Sequence, residues 1–95
     1  MLLQLGRPQE ALSSYDQAIR LAPDYLAALN GRGDLHNRLQ HYADALADFD
    51  RVLAIRRDDA FAWQGRGNAL AWLNHDADAI ASYSEALRLR PDDTI

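Results

Sequence analysis

The chain has 95 residues, a formal net charge of −4 and no cysteine, and the lack of cysteine excludes disulfides and thiolate chemistry. The acidic balance and the lack of a basic run disfavour nucleic acid or a membrane surface as a partner, because phosphates attract faces rich in Lys and Arg. No apolar stretch reaches the ~18 residues needed to span a bilayer, so we expect a cytoplasmic protein.

Apolar residues recur at helical spacing along the whole chain and predict six helical segments. Residues 1–5 are the end of a first helix, and Gly6 and Pro8 mark the turn that follows it. The other predicted helices run approximately over residues 9–21, 25–39, 42–55, 58–73 and 77–89. Residues 91–95 have the sequence of a further helix start. The pattern therefore predicts an all-α chain.

The helices are expected to form pairs, because the sequence repeats with a period of 34 residues. Residues 26–59 align with residues 60–93 without a gap, and residues 1–25 match the later part of the same unit. Small and aromatic residues recur at fixed places in each unit: Ala11, Tyr15, Ala18, then Ala45, Phe49, Val52, then Ala79, Tyr83, Ala86. Such a period predicts a stack of helix pairs, in which each unit buries its apolar face on its neighbour.

This pattern resembles the tetratricopeptide repeat (TPR), whose two helices are called A and B. The matching residues are a large apolar residue, a glycine, alanines, an aromatic residue and a proline at their usual places: Leu29, Gly33, Ala45 and Phe49, then Trp63, Gly67, Ala79, Tyr83, Ala86 and Pro91. The resemblance implies one domain, a right-handed superhelical stack of about 2.7 repeats. It divides into a partial repeat at 1–25, full repeats at 26–59 and 60–93, and the start of a truncated fourth A helix at 94–95.

The resemblance also implies a binding site, because TPR proteins usually hold ligands in a concave groove lined by their A helices. Residues at the matching positions of the two full repeats are the candidate groove residues: Asn30, Asp34, Asn37, Arg38, Phe61, Gln64, Asn68 and Trp72. The asparagine and glutamine side chains among them could bind the backbone of an extended peptide of any sequence. Phe61 and Trp72 would be apolar anchors. Gly31 and Gly65 would let the ligand approach closely. The alternative is that the amides are ordinary exposed residues and the glycines ease helix packing.

Two arginines, His36 and Leu70 depart from the family pattern, Leu70 at a position where an aromatic residue is usual. Arg32 and Arg66 stand where leucine is usual, and we expect each to find a carboxylate, a carbonyl or solvent, since a buried unpaired cation is costly. His36 stands where an aromatic residue is usual and is expected to be partly buried. His41 and His75 occupy the same repeat position, so they are expected to lie a repeat apart, and no metal site is predicted.

The expected function is a non-catalytic protein–protein interaction scaffold without cofactor or metal, whose partner is a protein or peptide. The residues that other family members use to clamp a chaperone's C-terminal carboxylate correspond to positions without a cation here, and Asp34 would repel that carboxylate. Two alternatives remain open. The chain could be the substrate-recruiting repeat portion of a larger enzyme, such as a glycosyltransferase. It could also be a fragment of a longer array or a homo-oligomer, joined through uncapped ends that include the surface around Leu70, Tyr83 and Leu87.

Overall fold

The structure is a computed structural model that describes residues 8–89. These residues form five α-helices and no strand, which confirms the all-α prediction. The helices are α1 (Pro8–Leu21), α2 (Leu26–Arg38), α3 (Tyr42–Ile55), α4 (Ala60–Trp72) and α5 (Asp76–Leu89). The helix predicted at residues 1–5 and the helix start predicted at 91–95 lie outside the described residues. None of the described helices is long and apolar enough to cross a membrane.

Each helix packs on the helix that follows it in the chain, and α2 also packs on α4. The pairs α2–α3 and α4–α5 therefore correspond to the predicted repeats at 26–59 and 60–93, with α2 and α4 in the place of A helices, and α1 corresponds to the B helix of the predicted repeat at 1–25. The contact between α2 and α4 places the two A helices side by side. This is the arrangement in which a surface shared by successive A helices can form.

Both A helices end in the same hydrogen-bonded turn. At the end of α2, the backbone N–H of His41 donates to the carbonyl of His36 at 2.7 Å, and that of Gln40 donates to Asn37 at 3.1 Å. Gln40 has φ 68°, so it occupies the left-handed region. This is the Schellman motif, which satisfies two carbonyls at the helix end and reverses the chain.

The centre of the core is Phe49 of α3, whose side chain is completely buried. Its ring lies against Gly33 of α2 and Gly65 of α4, where an added Cβ would be 2.9 Å and 2.2 Å from the Phe49 Cζ atom. Gly31 makes the same kind of contact with the Tyr15 ring, at 2.6 Å. The glycines therefore make room for aromatic rings of the core, which favours the packing explanation over close approach of a ligand.

The last helix leaves apolar residues uncovered. Ile80 and Leu87 of α5 are 64% and 60% exposed, whereas Leu53, one repeat before Leu87, is 5% exposed and belongs to the core cluster that includes Ala62 and Ala69 of α4. Leu70, which we expected at this end surface, is instead 4% exposed because it belongs to the interior of the last helix pair. The uncovered surface at this end therefore contains Ile80 and Leu87 and excludes Leu70.

Candidate functional site

Three of the predicted groove residues lie along one side of α4. Asn68 and Trp72 follow Phe61 by 7 and 11 residues, and both intervals return to within about 20° of the same side of an α-helix. Phe61 is 46% exposed and Trp72 68% exposed. Because each residue advances the helix by about 1.5 Å, the two aromatic residues are separated by about 17 Å along the axis. The side of α4 thus carries an aromatic residue at each end and an amide between them.

Neighbouring aromatic rings support the two exposed ones. The Trp72 ring is stacked on the ring of Tyr42, the first residue of α3, with 5.6 Å between centroids and 5° between planes. The Phe61 ring is tilted against the buried ring of Phe49, with centroids 6.3 Å apart. Contacts of this kind restrict the rotamers of the two side chains. Fixing these two side chains in a complex would therefore cost less entropy than fixing side chains without such contacts.

The amides of α2 connect the two full repeats. The Asn30 side chain donates to Asp59, the N-cap residue of α4, at 2.9 Å. The Asn37 side chain donates to the backbone carbonyl of Gly65 at 3.1 Å. The sequence did not predict this role, because the partners are a full helix pair away in the chain. Only the amide nitrogens make these contacts, and the buried Oδ1 atoms of Asn30 and Asn37 have no hydrogen bond among the described residues.

The other candidate groove residues are more exposed. Asp34 and Arg38 form an ion pair of 3.2 Å on α2, and both side chains are exposed. Asn68 accepts a hydrogen bond of 2.5 Å from the Tyr83 hydroxyl, and Gln64 is exposed on α4. The structure thus brings Phe61, Asn68 and Trp72 onto one side of α4, while Asp34 and Arg38 of α2 neutralise each other.

Arg32 links two successive B helices to the A helix between them. Its Nε and Nη2 donate to the two carboxylate oxygens of Asp48 at 2.9 and 2.7 Å, and its Nη1 donates to Asp16 at 2.8 Å. Asp48 is 5% exposed. Hydrogen bonding to Asp48 and then to Asp16 raises the pKa of Arg32 above its ordinary value, although burial opposes the shift. Both carboxylates thus favour the charged guanidinium that arginine ordinarily carries in proteins.

Arg66 makes the corresponding link one repeat later. Its Nε donates to Asp50 at 2.7 Å and its Nη1 donates to the hydroxyl of Ser82 at 2.8 Å. Its guanidinium also lies over the Trp63 ring, 5.7 Å from the centroid. The prediction that both arginines find polar partners is confirmed. These cations hold the repeats together and do not belong to the side of α4 that exposes the aromatic residues.

A histidine pair that the sequence did not predict lies at the turn between α2 and α3. The Nδ1 atoms of His36 and His41 are 3.4 Å apart, and the Asp44 carboxylate is close to both rings. His36 is partly buried, as expected, with 14% of its side chain exposed. The signal that could have revealed the pair is the spacing of five residues across a Schellman turn, which places those two side chains next to each other.

Comparisons with known proteins agree with this fold. Tetratricopeptide repeat family models match residues 2–60 and residues 60–93. The first TPR of Spaghetti (RPAP3), solved bound to the HSP90 peptide SRMEEVD, has a TM-score of 0.90 and 25% identity over 97% of this chain and 73% of that one. The first TPR domain of human RPAP3 has a TM-score of 0.89 and 25% identity, over 97% and 72% of the two chains.

MamA from Desulfovibrio magneticus RS-1 is also similar, with a TM-score of 0.86 and 26% identity over 97% of this chain but only 52% of MamA. No curated protein matches the sequence. The repeat period, the stacked helix pairs and the family matches lead to one conclusion: the chain belongs to the tetratricopeptide repeat family.

Proposed function

We propose that this chain is a non-catalytic interaction module that binds an extended peptide or a helical segment of a partner protein across α2 and α4. The observation that carries the proposal is the pair of exposed aromatic residues, Phe61 and Trp72, on one side of α4. Buried aromatic residues contribute much of the binding free energy in protein interfaces. Covering the exposed part of Trp72 would favour a complex by about 2–3 kcal/mol.

The length of the site suits a short peptide. The distance of about 17 Å between the two anchors corresponds to about five residues of extended chain. The amide of Asn68 lies between them and can bind peptide backbone without selecting a sequence. The similar TPR of Spaghetti, solved with a seven-residue peptide, supports a ligand of this kind.

The charges of the site favour a different peptide from the one bound by Spaghetti. Among the described residues of α2 and α4, Arg32 and Arg66 bind side chains of B helices, and Arg38 pairs with Asp34. The acidic peptide SRMEEVD would therefore meet no uncommitted arginine here. We infer that the partner presents neutral or basic segments with at least one apolar side chain.

The proposal predicts which substitutions weaken peptide binding. Random twelve-residue peptides selected by display on the wild-type chain are expected to bind Trp72→Ala and Phe61→Ala at least tenfold more weakly, because each substitution removes an anchor worth about 1.4 kcal/mol or more. Asn68→Ala is expected to have a smaller effect in the same direction. Fluorescence anisotropy of labelled peptides measures these affinities.

The matched control is Leu21→Ala, which removes an equally apolar side chain that is 80% exposed on α1. This variant is expected to bind the selected peptides with wild-type affinity. If the peptides bound Trp72→Ala and Phe61→Ala as tightly as the wild type, the proposal would be wrong. Circular dichroism would verify that both variants keep their helix content.

Self-assembly is a second candidate function, favoured by the uncovered Ile80 and Leu87 of α5. A second copy could cover them, in the way that Leu53 is buried in the core shared with α4. Light scattering is expected to give a mass that rises above 10.7 kDa with concentration. The double substitution Ile80→Ser and Leu87→Ser would abolish the rise, whereas Leu21→Ser would not. A wild-type mass of 10.7 kDa at every concentration would exclude this candidate.

Recruitment of substrates for a larger enzyme rests on the family resemblance, and no contact among the described residues favours it.

A further inference from the structure

We propose that His36, His41 and Asp44 form a binding site for Zn²⁺ at the turn between α2 and α3. One ligand atom from each of the three side chains lies within 4.8 Å of the other two. None of the three residues belongs to the aromatic side of α4, although Tyr42, whose ring supports Trp72, lies between His41 and Asp44 in the chain. The proposal does not depend on peptide binding. Two imidazole nitrogens and one carboxylate oxygen are a ligand set that zinc binds in proteins, with the fourth position left open.

The backbone places the two histidines together before any metal arrives. His36 and His41 are the residues that the Schellman motif brings side by side, and the motif is held by the bond from the His41 N–H to the His36 carbonyl. At the end of α4 the same turn pairs Leu70 with His75, through a hydrogen bond of 2.9 Å. The two residues that this motif brings together are usually apolar. Of the two turns compared, the one after α2 has two histidines at these positions and the one after α4 has only one.

The distance between the rings fits a tetrahedral metal. In a tetrahedral zinc site with Zn–N bonds of 2.0–2.1 Å, two ligand nitrogens are separated by about 3.4 Å. The Nδ1 atoms of His36 and His41 are 3.4 Å apart. An octahedral ion at a similar bond length would require about 3.0 Å between adjacent ligands. Nitrogen ligands also favour zinc over magnesium and calcium, which bind oxygen.

Asp44 can provide the third ligand with little rearrangement. It lies in the first turn of α3, three residues after His41, and its side chain is exposed. A change of rotamer at the surface can therefore shorten the separation of up to 4.8 Å that now exists in the cluster. The fourth position would face solvent and could accept water or a side chain of a partner.

A buried carboxylate lies behind the site. The Nε2 atom of His36, on the far side of the ring from Nδ1, is 4.0 Å from the Oδ2 atom of Asp48. Asp48 is 5% exposed and is held in place by Arg32. At 4.0 Å it does not accept a hydrogen bond from the ring. Ligand histidines in zinc sites usually donate their second ring N–H to a carboxylate, and a shift of about 1 Å would bring His36 and Asp48 to that distance. Asp48 is therefore a candidate outer partner for a zinc-bound His36.

Isothermal titration of the chain with zinc chloride, after removal of metal by EDTA, tests the proposal. We expect one Zn²⁺ per chain with micromolar affinity, and a higher Tm in the presence of zinc because the ion binds the folded turn. Replacement of zinc by Co²⁺ is expected to give the intense visible absorption of a tetrahedral site.

Variants matched to the next repeat identify the ligands. Leu70 is the residue that corresponds to His36 in the next repeat, so the His36→Leu variant is expected to fold. Because it lacks one of the three proposed ligands, it is expected to bind zinc at least tenfold more weakly. Asp44→Asn is expected to weaken binding in the same way, and His75→Ala is expected to leave it unchanged. Absence of zinc binding in the wild type, or equal binding by a folded His36→Leu variant, would overturn the proposal.

Discussion

Replacing Arg32 by leucine, the residue usual at this position in the family, is expected to lower the free energy of unfolding by about 3 kcal/mol. The substitution leaves the Asp48 carboxylate, 5% exposed, without its cation. Removal of one partner from a buried ion pair typically costs about 3–5 kcal/mol, and the partial exposure of Arg32 places this pair at the lower limit. Urea denaturation followed by circular dichroism measures the loss.

Two further variants separate the ion pair from general packing. Arg66→Leu is expected to cost only about 1 kcal/mol, because its partners are the neutral hydroxyl of Ser82 and a half-exposed Asp50. The double substitution Arg32→Leu and Asp48→Ser is expected to recover more than half of the loss, since it removes the unpaired carboxylate and introduces the serine of the next repeat. Equal costs for Arg32→Leu and Arg66→Leu, or additive costs in the double variant, would contradict this explanation.

Replacing Gly65 by alanine is expected to cost about 3 kcal/mol, although alanine is the better helix former by about 1 kcal/mol. The new Cβ would lie 2.2 Å from the Cζ atom of Phe49, far inside contact distance. Phe49 is completely buried, so its ring cannot move away without displacing the core. Thermal unfolding of the two proteins measures the difference.

Gly31 is the matched control, because its Cβ would also meet a ring, 2.6 Å away, but the ring belongs to Tyr15 and is only half-buried. Gly31→Ala is expected to change stability by less than about 1 kcal/mol, since that ring can turn toward solvent. Gly65→Ala combined with Phe49→Leu is expected to cost less than the two single changes together. A Gly65→Ala variant as stable as the wild type would show that the ring moves freely.

Much of the fold could be predicted from the sequence, because repeat period and helical spacing are local signals. The bounds of α3 agree with the prediction, and those of the other described helices differ by one or two residues. It was also predictable that Arg32 and Arg66 would each have a polar partner, since a cation at an apolar position needs one. The identity of the partners of Arg32 could not be predicted, because Asp16 and Asp48 lie 16 residues away on two different helices.

The site was less predictable, for reasons that particular residues show. Asn30 and Asn37 are predicted groove residues, and the sequence does not reveal that their side chains also donate to Asp59 and Gly65, because these contacts depend on how two A helices pack. The His36–His41 pair depends on a left-handed backbone at Gln40, a residue type that gives no warning of that conformation. Sequence patterns identify surfaces, whereas polar contacts between repeats require three-dimensional positions.

The central claim, that the exposed aromatic side of α4 binds a peptide, can be tested with two NMR signals. The chain has two tryptophans, and the indole N–H of Trp63 donates to the carbonyl of Arg57 at 2.8 Å, whereas Trp72 is 68% exposed. In ¹H–¹⁵N spectra recorded during titration with a selected peptide, the Trp72 indole signal is predicted to shift in a saturable way while the Trp63 indole signal stays in place. Saturable shifts confined to amides of α1 or to the Ile80 and Leu87 surface of α5, with Trp72 unchanged, would contradict the claim.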